Sequence, residues 1–369
     1  MYERDLSISK NFNPILILLI LSTLILFRLI FYFSGFMQED AFIVFRSAFN
    51  FADYNIFSYN LDEHHTGVTS KIFGLLCYVF RLILKDYAIL GIIAFNSFLG
   101  LIASYFIFKA FEELIIHEDI SKKLCLLLII GINPTILKTG ITGLEYGLVV
   151  LFISLLFLYI SQDKNNYLLL ISAIFLPITR IELVAVNLII IFACFIYKNK
   201  KWLYLLFATF LGVLINFILN YYFDGSIFSS SATSKWMMTS NQVNRFDLEN
   251  LISSFSQWFL FSNSFFLGIT TKYMINFISF IISIAILILV VSNFKYLIFY
   301  KFKQIPEKEK TLLLCLSLSI IFVPASYILS GNVMSWYLLP FSFLTYVLLG
   351  YTFIKSKYCD YAMIRNYLE

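Results

Sequence analysis

The chain has 369 residues, of which 60% are hydrophobic and 13% charged, with a formal net charge of +5 and a mean hydropathy of +0.85. A soluble protein of this length cannot bury so much apolar surface, because about 45–50% apolar residues is usual. The composition therefore predicts a single membrane domain over residues 1–369. We expect no nucleic-acid partner, because the lysines lie between hydrophobic runs and form no basic arm. The five cysteines show no disulfide or metal spacing.

The first predicted element is an apolar run at 14–33, which is too long for a signal-peptide core and is interpreted as a retained transmembrane helix. Apolar runs of about 18–20 residues predict membrane-spanning helices. The sequence thus predicts an all-α polytopic protein with about ten spans. In chain order the remaining spans are 87–108, 124–138, 146–160, 166–178, 182–197, 202–222, 274–294, 311–329 and 338–354.

The lysine distribution predicts the orientation of these spans. With the N-terminus inside, most of the 27 lysines and arginines fall in short cytoplasmic segments, which is the positive-inside bias. This requires that two other apolar stretches, Ser70–Leu84 and Leu251–Gly268, lie at the outer surface or re-enter from it. If either one spans, every later loop changes side. The outer face then receives two long loops, at 34–86 and 223–273.

Candidate site residues gather on this predicted outer face. Glu39 and Asp40 follow the first span. The two interpretations are a polar helix cap and a carboxylate that accepts a proton from an incoming hydroxyl. Arg46 follows, to pair with these acids or to bind a phosphate. The adjacent His64 and His65 cannot easily converge on one ion, so we predict hydrogen bonding to a sugar or phosphate, and no metal.

Later motifs add further candidates to the same face. Arg180 and Glu182 stand between two short apolar runs, where ionisable residues are functional hypotheses by default, although a structural ion pair is the alternative. The other candidates are Glu63 in the polar run 62–70, Glu145 at the outer end of the third span, Lys235 in the second long loop, and Trp336 before the last span. A transporter would place its polar residues near the bilayer midplane in related halves. No such halves are evident, which favours surface chemistry on a membrane-held substrate.

In order, these motifs resemble the GT-C superfamily of membrane glycosyltransferases, and within it a bacterial group of arabinofuranosyltransferase-like and mannosyltransferase-like enzymes. The chain departs from that group at His64 and His65, where small or acidic residues are usual, and at Ile181, where Pro is usual. The matching segments are the acidic pair with Ala, Arg and Asn at 39–50, the Gly-Thr/Ser turn at 66–70, Gly-Leu-Glu at 143–145, Thr-Arg-x-Glu at 179–182, Tyr-Tyr through Ala-x-x-Lys at 221–235, and aromatic-Leu-Leu-Pro at 337–340.

The resemblance implies an inverting transfer of a sugar from a polyprenyl-phosphate donor to an acceptor hydroxyl on a glycan, lipid or protein. It implies Asp40 as general base with Glu39 beside it, donor-phosphate binding by Arg180, Lys235 and Arg46, and no cofactor. It implies an integral protein of the bacterial cytoplasmic (inner) membrane whose site faces the periplasm or exterior. Substrate contacts would come from Glu63, His64, His65, Glu145, Glu182 and Trp336. The alternative function is a polytopic transporter or flippase, or a glycan polymerase of cell-surface polysaccharide assembly.

Overall fold

The computed structural model describes residues 37–63, 65–115, 118–131, 133, 136, 140–162, 167–231, 233, 288, 306–329 and 339–355. Over this part of the chain the protein is all-α, as predicted, and contains no strand. The helices are α1 Glu39–Tyr54, α2 Lys71–Leu84, α3 Ala88–Glu112, α4 Ile120–Gly131, α5 Tyr146–Ser161, α6 Tyr167–Thr179, α7 Val184–Ile196, α8 Lys201–Asp224, α9 Glu307–Leu329 and α10 Leu339–Lys355.

The apolar runs at 87–108, 146–160, 166–178, 182–197, 202–222, 311–329 and 338–354 all form helices. The run at 124–138 is helical as far as Gly131 in α4. Within the described ranges, two helical segments are long and apolar enough to cross a membrane, Lys71–Glu112 and Lys201–Asp224. The predicted spans at 14–33 and 274–294, and the stretch at 251–268, lie outside the described residues, apart from the single position 288.

The predicted first outer loop, 34–86, contains two packed helices. α1 and α2 meet through aromatic contacts, such as Phe51 against Tyr78 with ring centroids 4.7 Å apart. Lys85 adopts a left-handed φ of 48° and ends α2, so the chain reverses into α3. Phe80 of α2 then packs on Phe95 of α3, with centroids 5.5 Å apart. The segment Lys71–Glu112 is therefore a helical hairpin, in which α2 does not continue the path of α3.

The other helices pack closely because glycine stands at their contacts. A Cβ on Gly147 of α5 would lie 2.5 Å from the Asn96 side chain of α3. A Cβ on Gly212 of α8 would lie 2.3 Å from the Ile174 carbonyl oxygen of α6. These contacts surround a large apolar core that includes Phe157 of α5 and residues of α9 and α10.

The two ends of this helical core differ in chemistry. At one end α5 and α7 begin, and α6 and α8 finish; we call this the Arg180 end. At the other end α5 and α7 finish, and α8 and α9 begin; we call this the Lys201 end. Most of the predicted site residues that the structure describes belong to the first of these ends or to α1 and the loop after it.

Candidate functional site

The acidic pair Glu39 and Asp40 forms the first turn of α1. The sequence placed the two acids at the end of the preceding span, whereas they begin a separate helix here. Negative charge in a first turn is stabilised by the unpaired N–H groups and the helix dipole. Glu39 is exposed and Asp40 is partly buried. Both carboxylates therefore stand at a fixed helix start.

The start of α1 rests on the turn that carries the Gly-Leu-Glu motif. The Gln38 backbone N–H donates to the Thr142 carbonyl at 3.1 Å. Gly143 has a left-handed φ of 73°, and a Cβ at this position would lie 2.9 Å from the Cβ of Ala41. Only glycine satisfies both the backbone conformation and the close approach. Two motifs separated by about 100 residues in the sequence are therefore in direct contact.

The same turn supplies one member of a buried ion-pair cluster. Arg180 donates from Nη1 to Glu145 at 3.0 Å and to the Tyr146 hydroxyl at 2.6 Å. It also donates from Nε to Glu182 at 2.7 Å, and its Nη2 lies 2.6 Å from the same carboxylate. The side chains of Arg180 and Glu145 are 6% and 4% exposed, whereas that of Glu182 is 27% exposed. We call these four residues the Arg180 cluster.

The backbone that presents Arg180 is fixed by two asparagines from neighbouring helices. Pro177 lies inside α6 and has no N–H, so the Ala173 carbonyl loses its normal helical donor. Asn187 of α7 replaces that donor, with its Nδ2 2.9 Å from the Ala173 oxygen. Asn216 of α8 donates to the carbonyls of Pro177 and Ile178 at 3.0 and 3.2 Å. The end of α6 is thus held by polar contacts inside an apolar environment.

A second buried ion pair joins the two predicted outer loops. Lys71 donates to Asp224 Oδ2 at 2.6 Å, to Thr66 Oγ1 at 2.5 Å and to the Val68 carbonyl at 2.7 Å. Asp224 also accepts from the Thr66 N–H and hydroxyl, at 3.1 and 2.8 Å, and from the Ser230 N–H at 3.0 Å. The Lys71 and Asp224 side chains are 1% and 0% exposed. We call this group of five residues the Lys71 cluster.

Helix α1 connects the two clusters. Ala41 packs on the Gly143 turn, and six residues further on Ser47 donates to the Thr66 carbonyl at 2.6 Å. Six residues of α-helix correspond to about 9 Å along the axis. Asp40 therefore lies in the first turn of a helix that packs on the turn leading into the Arg180 cluster and, near its middle, hydrogen-bonds to the Lys71 cluster.

Other predicted residues form a separate, exposed network. Arg46 lies over the Tyr59 ring at 4.4 Å and donates to Asn60 at 3.3 Å. Asn60 in turn donates to Glu63 at 3.0 Å. His65 is exposed in the same loop. None of these contacts reaches the Arg180 cluster.

Three predicted site residues, His64, Lys235 and Trp336, lie outside the described residues. In the part of the chain that the structure describes, no three or more His, Cys, Asp or Glu residues are grouped so as to hold a metal ion.

The sequence analysis missed several residues that shape this region. It predicted no role in the site for Lys71, Asp224 or Tyr146. A signal existed for the first two, since each is a charged residue at the boundary of an apolar run, where an unpaired charge is costly. Their pairing across 153 residues could not be deduced from one sequence. In the sequence, Asn216 cannot be distinguished from any other polar residue in an apolar helix.

The arrangement concentrates carboxylates around one guanidinium. Arg180 carries one positive charge and is flanked by Glu145 and Glu182, so the cluster has a formal charge of −1. Glu182 is the more exposed of the two carboxylates in the Arg180 cluster. Carboxylates in such a position accept hydrogen bonds from hydroxyl-rich ligands, and a guanidinium offers a planar set of donors to an oxyanion.

No model of a known protein family, no curated protein and no solved structure matches the chain significantly.

Proposed function

We propose that the chain is an integral membrane glycosyltransferase of the GT-C type, with about ten spans. It would transfer a sugar, with inversion, from a polyprenyl-phosphate donor to an acceptor hydroxyl at the outer face of the bacterial cytoplasmic membrane. The observation that carries the proposal is the meeting of three segments, 38–41, 142–145 and 179–182, at one end of the helical core. Two helical segments that are long and apolar enough to cross a membrane support an association with the membrane.

In the proposed reaction Asp40 is the general base. The acceptor hydroxyl gives its proton to the Asp40 carboxylate while its oxygen forms a bond to the anomeric carbon. The bond between that carbon and the donor phosphate breaks on the opposite face, and polyprenyl phosphate leaves with the electron pair. A carboxylate at a braced helix start is suited to this task, because general-base catalysis depends on position first and on pKa second.

Arg180 is the proposed ligand of the departing phosphate. Glu145 and Tyr146 hold the buried edge of its guanidinium, and Glu182 occupies the edge nearer to solvent. A donor phosphate would therefore displace Glu182 and take over its position at Nε and Nη2 of Arg180, while Glu145 keeps the guanidinium oriented. Fixed donors that meet charge as it develops supply the largest part of many rate enhancements.

The test is an assay of purified full-length protein with labelled polyprenyl-phosphate sugars and candidate acceptors. We expect release of polyprenyl phosphate coupled to a new glycosidic bond. Asp40→Asn keeps size and hydrogen-bonding reach and should lower turnover by about 10²–10⁴. Glu39→Gln is the matched control and should cost less, because neighbouring residues on a helix point about 100° apart.

Three results would contradict the proposal or part of it. Movement of the lipid-linked sugar across the membrane without bond formation would identify the chain as a transporter or flippase. Full activity in a well-folded Asp40→Asn variant, with an inactive Glu39→Gln variant, would move the general base to Glu39. Full activity in both would remove the acidic pair from the mechanism.

A further inference from the structure

The Lys201 end of the helical core contains a cavity of about 320 Å³. It lies where α5 and α7 finish and where α8 and α9 begin. Its wall includes three lysines, Lys198, Lys201 and Lys308, and one acid, Glu307. Three positive charges and one negative charge leave a formal charge of +2. Neutral hydrogen-bonding groups complete the lining, among them Asn199 and Thr311. A basic, polar cavity of this size suits a small oxyanion.

One of these lysines is built into the wall. Lys201 is 4% exposed, and its ammonium group donates to the carbonyls of Tyr159, at 2.6 Å, and Gln162. These carbonyls belong to the C-terminal end of α5 and hold the ammonium group in place. Lys198 is exposed and Lys308 is partly buried, so both are more accessible than Lys201. The cavity therefore combines one fixed lysine with two more accessible ones.

The surroundings of the cavity indicate an amphipathic ligand. Tyr167 and Tyr204 meet edge to face at 6.1 Å, and Trp202 meets Phe195 in the same way at 5.6 Å. Tyr and Trp at one level of a helical protein are typical of the membrane–water interface. Further along α8, away from this level, large apolar side chains are exposed, for example Phe207 at 70%. The same end of the helical core thus combines a basic cavity with Tyr and Trp side chains, and an exposed apolar face follows further along α8.

We infer that this cavity binds the phosphate group of an anionic membrane lipid, whose acyl chains lie along the exposed apolar face of α8. Phosphate headgroups are attracted to lysines near the membrane surface by roughly a factor of five in affinity per residue. The inference rests on the membrane placement of the chain and is independent of the sugar-transfer reaction. The site is at the opposite end of the helical core from the Arg180 cluster.

The experiment uses the full-length protein in detergent with equal amounts of phosphatidylglycerol and phosphatidylcholine that carry the same acyl chains. Native mass spectrometry measures the ratio of the two lipid adducts. We expect a preference for phosphatidylglycerol that falls about fivefold in Lys198→Gln or Lys308→Gln and on the order of 25-fold in the double variant. Lys201 is left unchanged, because a buried lysine also supports folding.

The matched control is the double variant Lys200→Gln and Lys310→Gln. It removes the same charge from the same end of the protein but from residues that do not line the cavity. The control should keep the lipid preference. Equal losses in the two double variants, or no loss in either, would overturn the inference in favour of general surface attraction. A third measurement distinguishes the source of the phosphate: if inorganic phosphate raises the melting temperature as much as phosphatidylglycerol does, the site binds free phosphate and the lipid assignment is wrong.

Discussion

The buried pair of Lys71 and Asp224 allows a quantitative prediction about stability. Replacing Lys71 by Met keeps the length of the side chain and removes its charge. Asp224 then keeps three donors, from Thr66 and Ser230, but has no counter-ion. Removing one partner of a buried pair costs about 3–5 kcal/mol. We expect Lys71→Met near the lower end of this range, because the remaining donors still solvate the carboxylate.

Asp224→Asn should cost more than Lys71→Met. Both carboxylate oxygens accept hydrogen bonds from two donors each. An amide has only one oxygen, so its NH₂ group must face donors on one side, and the Lys71 ammonium group is left without a counter-charge. We expect a loss near 5 kcal/mol. The double variant should lose at least about 1 kcal/mol less than the sum of the single variants, because they share one interaction.

The assay is reversible unfolding of the purified protein by sodium dodecyl sulfate in mixed micelles. Arg81→Met is the matched control, since Arg81 pairs with Asp53 at 3.0 Å, but the two side chains are 25% and 41% exposed. An exposed pair contributes about 0.2–1 kcal/mol. If Lys71→Met destabilises the protein no more than Arg81→Met, and the double variant is additive, then the Lys71 cluster does not stabilise the fold.

Three further predictions concern backbone and topology. Gly143→Ala should destabilise the protein by about 2–5 kcal/mol, because the new side chain has a left-handed φ and clashes with α1. Gly225→Ala is the control in the same unfolding assay; it has φ 69° and open space around it, and should cost about 1–2 kcal/mol. Equal costs would contradict the contact between Gly143 and α1. Asn187→Leu should lower the free energy of unfolding by about 1–3 kcal/mol, because it leaves the Ala173 carbonyl unpaired. Adding Pro177→Ala should recover most of this loss, because alanine restores the helical N–H donor. If stability does not recover, Asn187 does not act by replacing that donor. Cysteines introduced at exposed positions 226 and 200, at the two ends of α8, should react with impermeant reagents from opposite sides of the membrane. If both positions are labelled from the same side, α8 does not span the membrane.

The sequence predicted the helices better than the contacts. Long apolar runs bounded by polar residues or Gly determine where α3, α5 and α8 begin and end, and this information is local. The helical content of 34–86 was harder to predict, because α2 contains the charged residues Lys71 and Arg81 and ends at the unusual conformation of Lys85.

For the site, the motif residues Asp40, Glu145 and Arg180 were identified, and the structure brings their segments together. Their ion-pair partners were only partly predicted. Arg180 with Glu182 is a local pair, two residues apart, and the sequence analysis gave it as the alternative to a functional role. Arg180 with Glu145 and Lys71 with Asp224 depend on helix packing over 35 and 153 residues. A single sequence carries no information on which distant charges meet.

The asparagine contact between α8 and the end of α6 has a geometric consequence. Asn216 holds the carbonyls of Pro177 and Ile178, and Asp224 follows eight positions later in α8, a rise of about 12 Å. The described part of α6 has 13 residues and α7 has 13, or about 20 Å each, against a hydrocarbon thickness of about 30 Å. In a bilayer, Arg180 would therefore lie at the bottom of a recess, and lipids beside α6 and α7 would have to thin to match these helices. Such a local depression would let a lipid-borne substrate approach the recess sideways, from within the membrane.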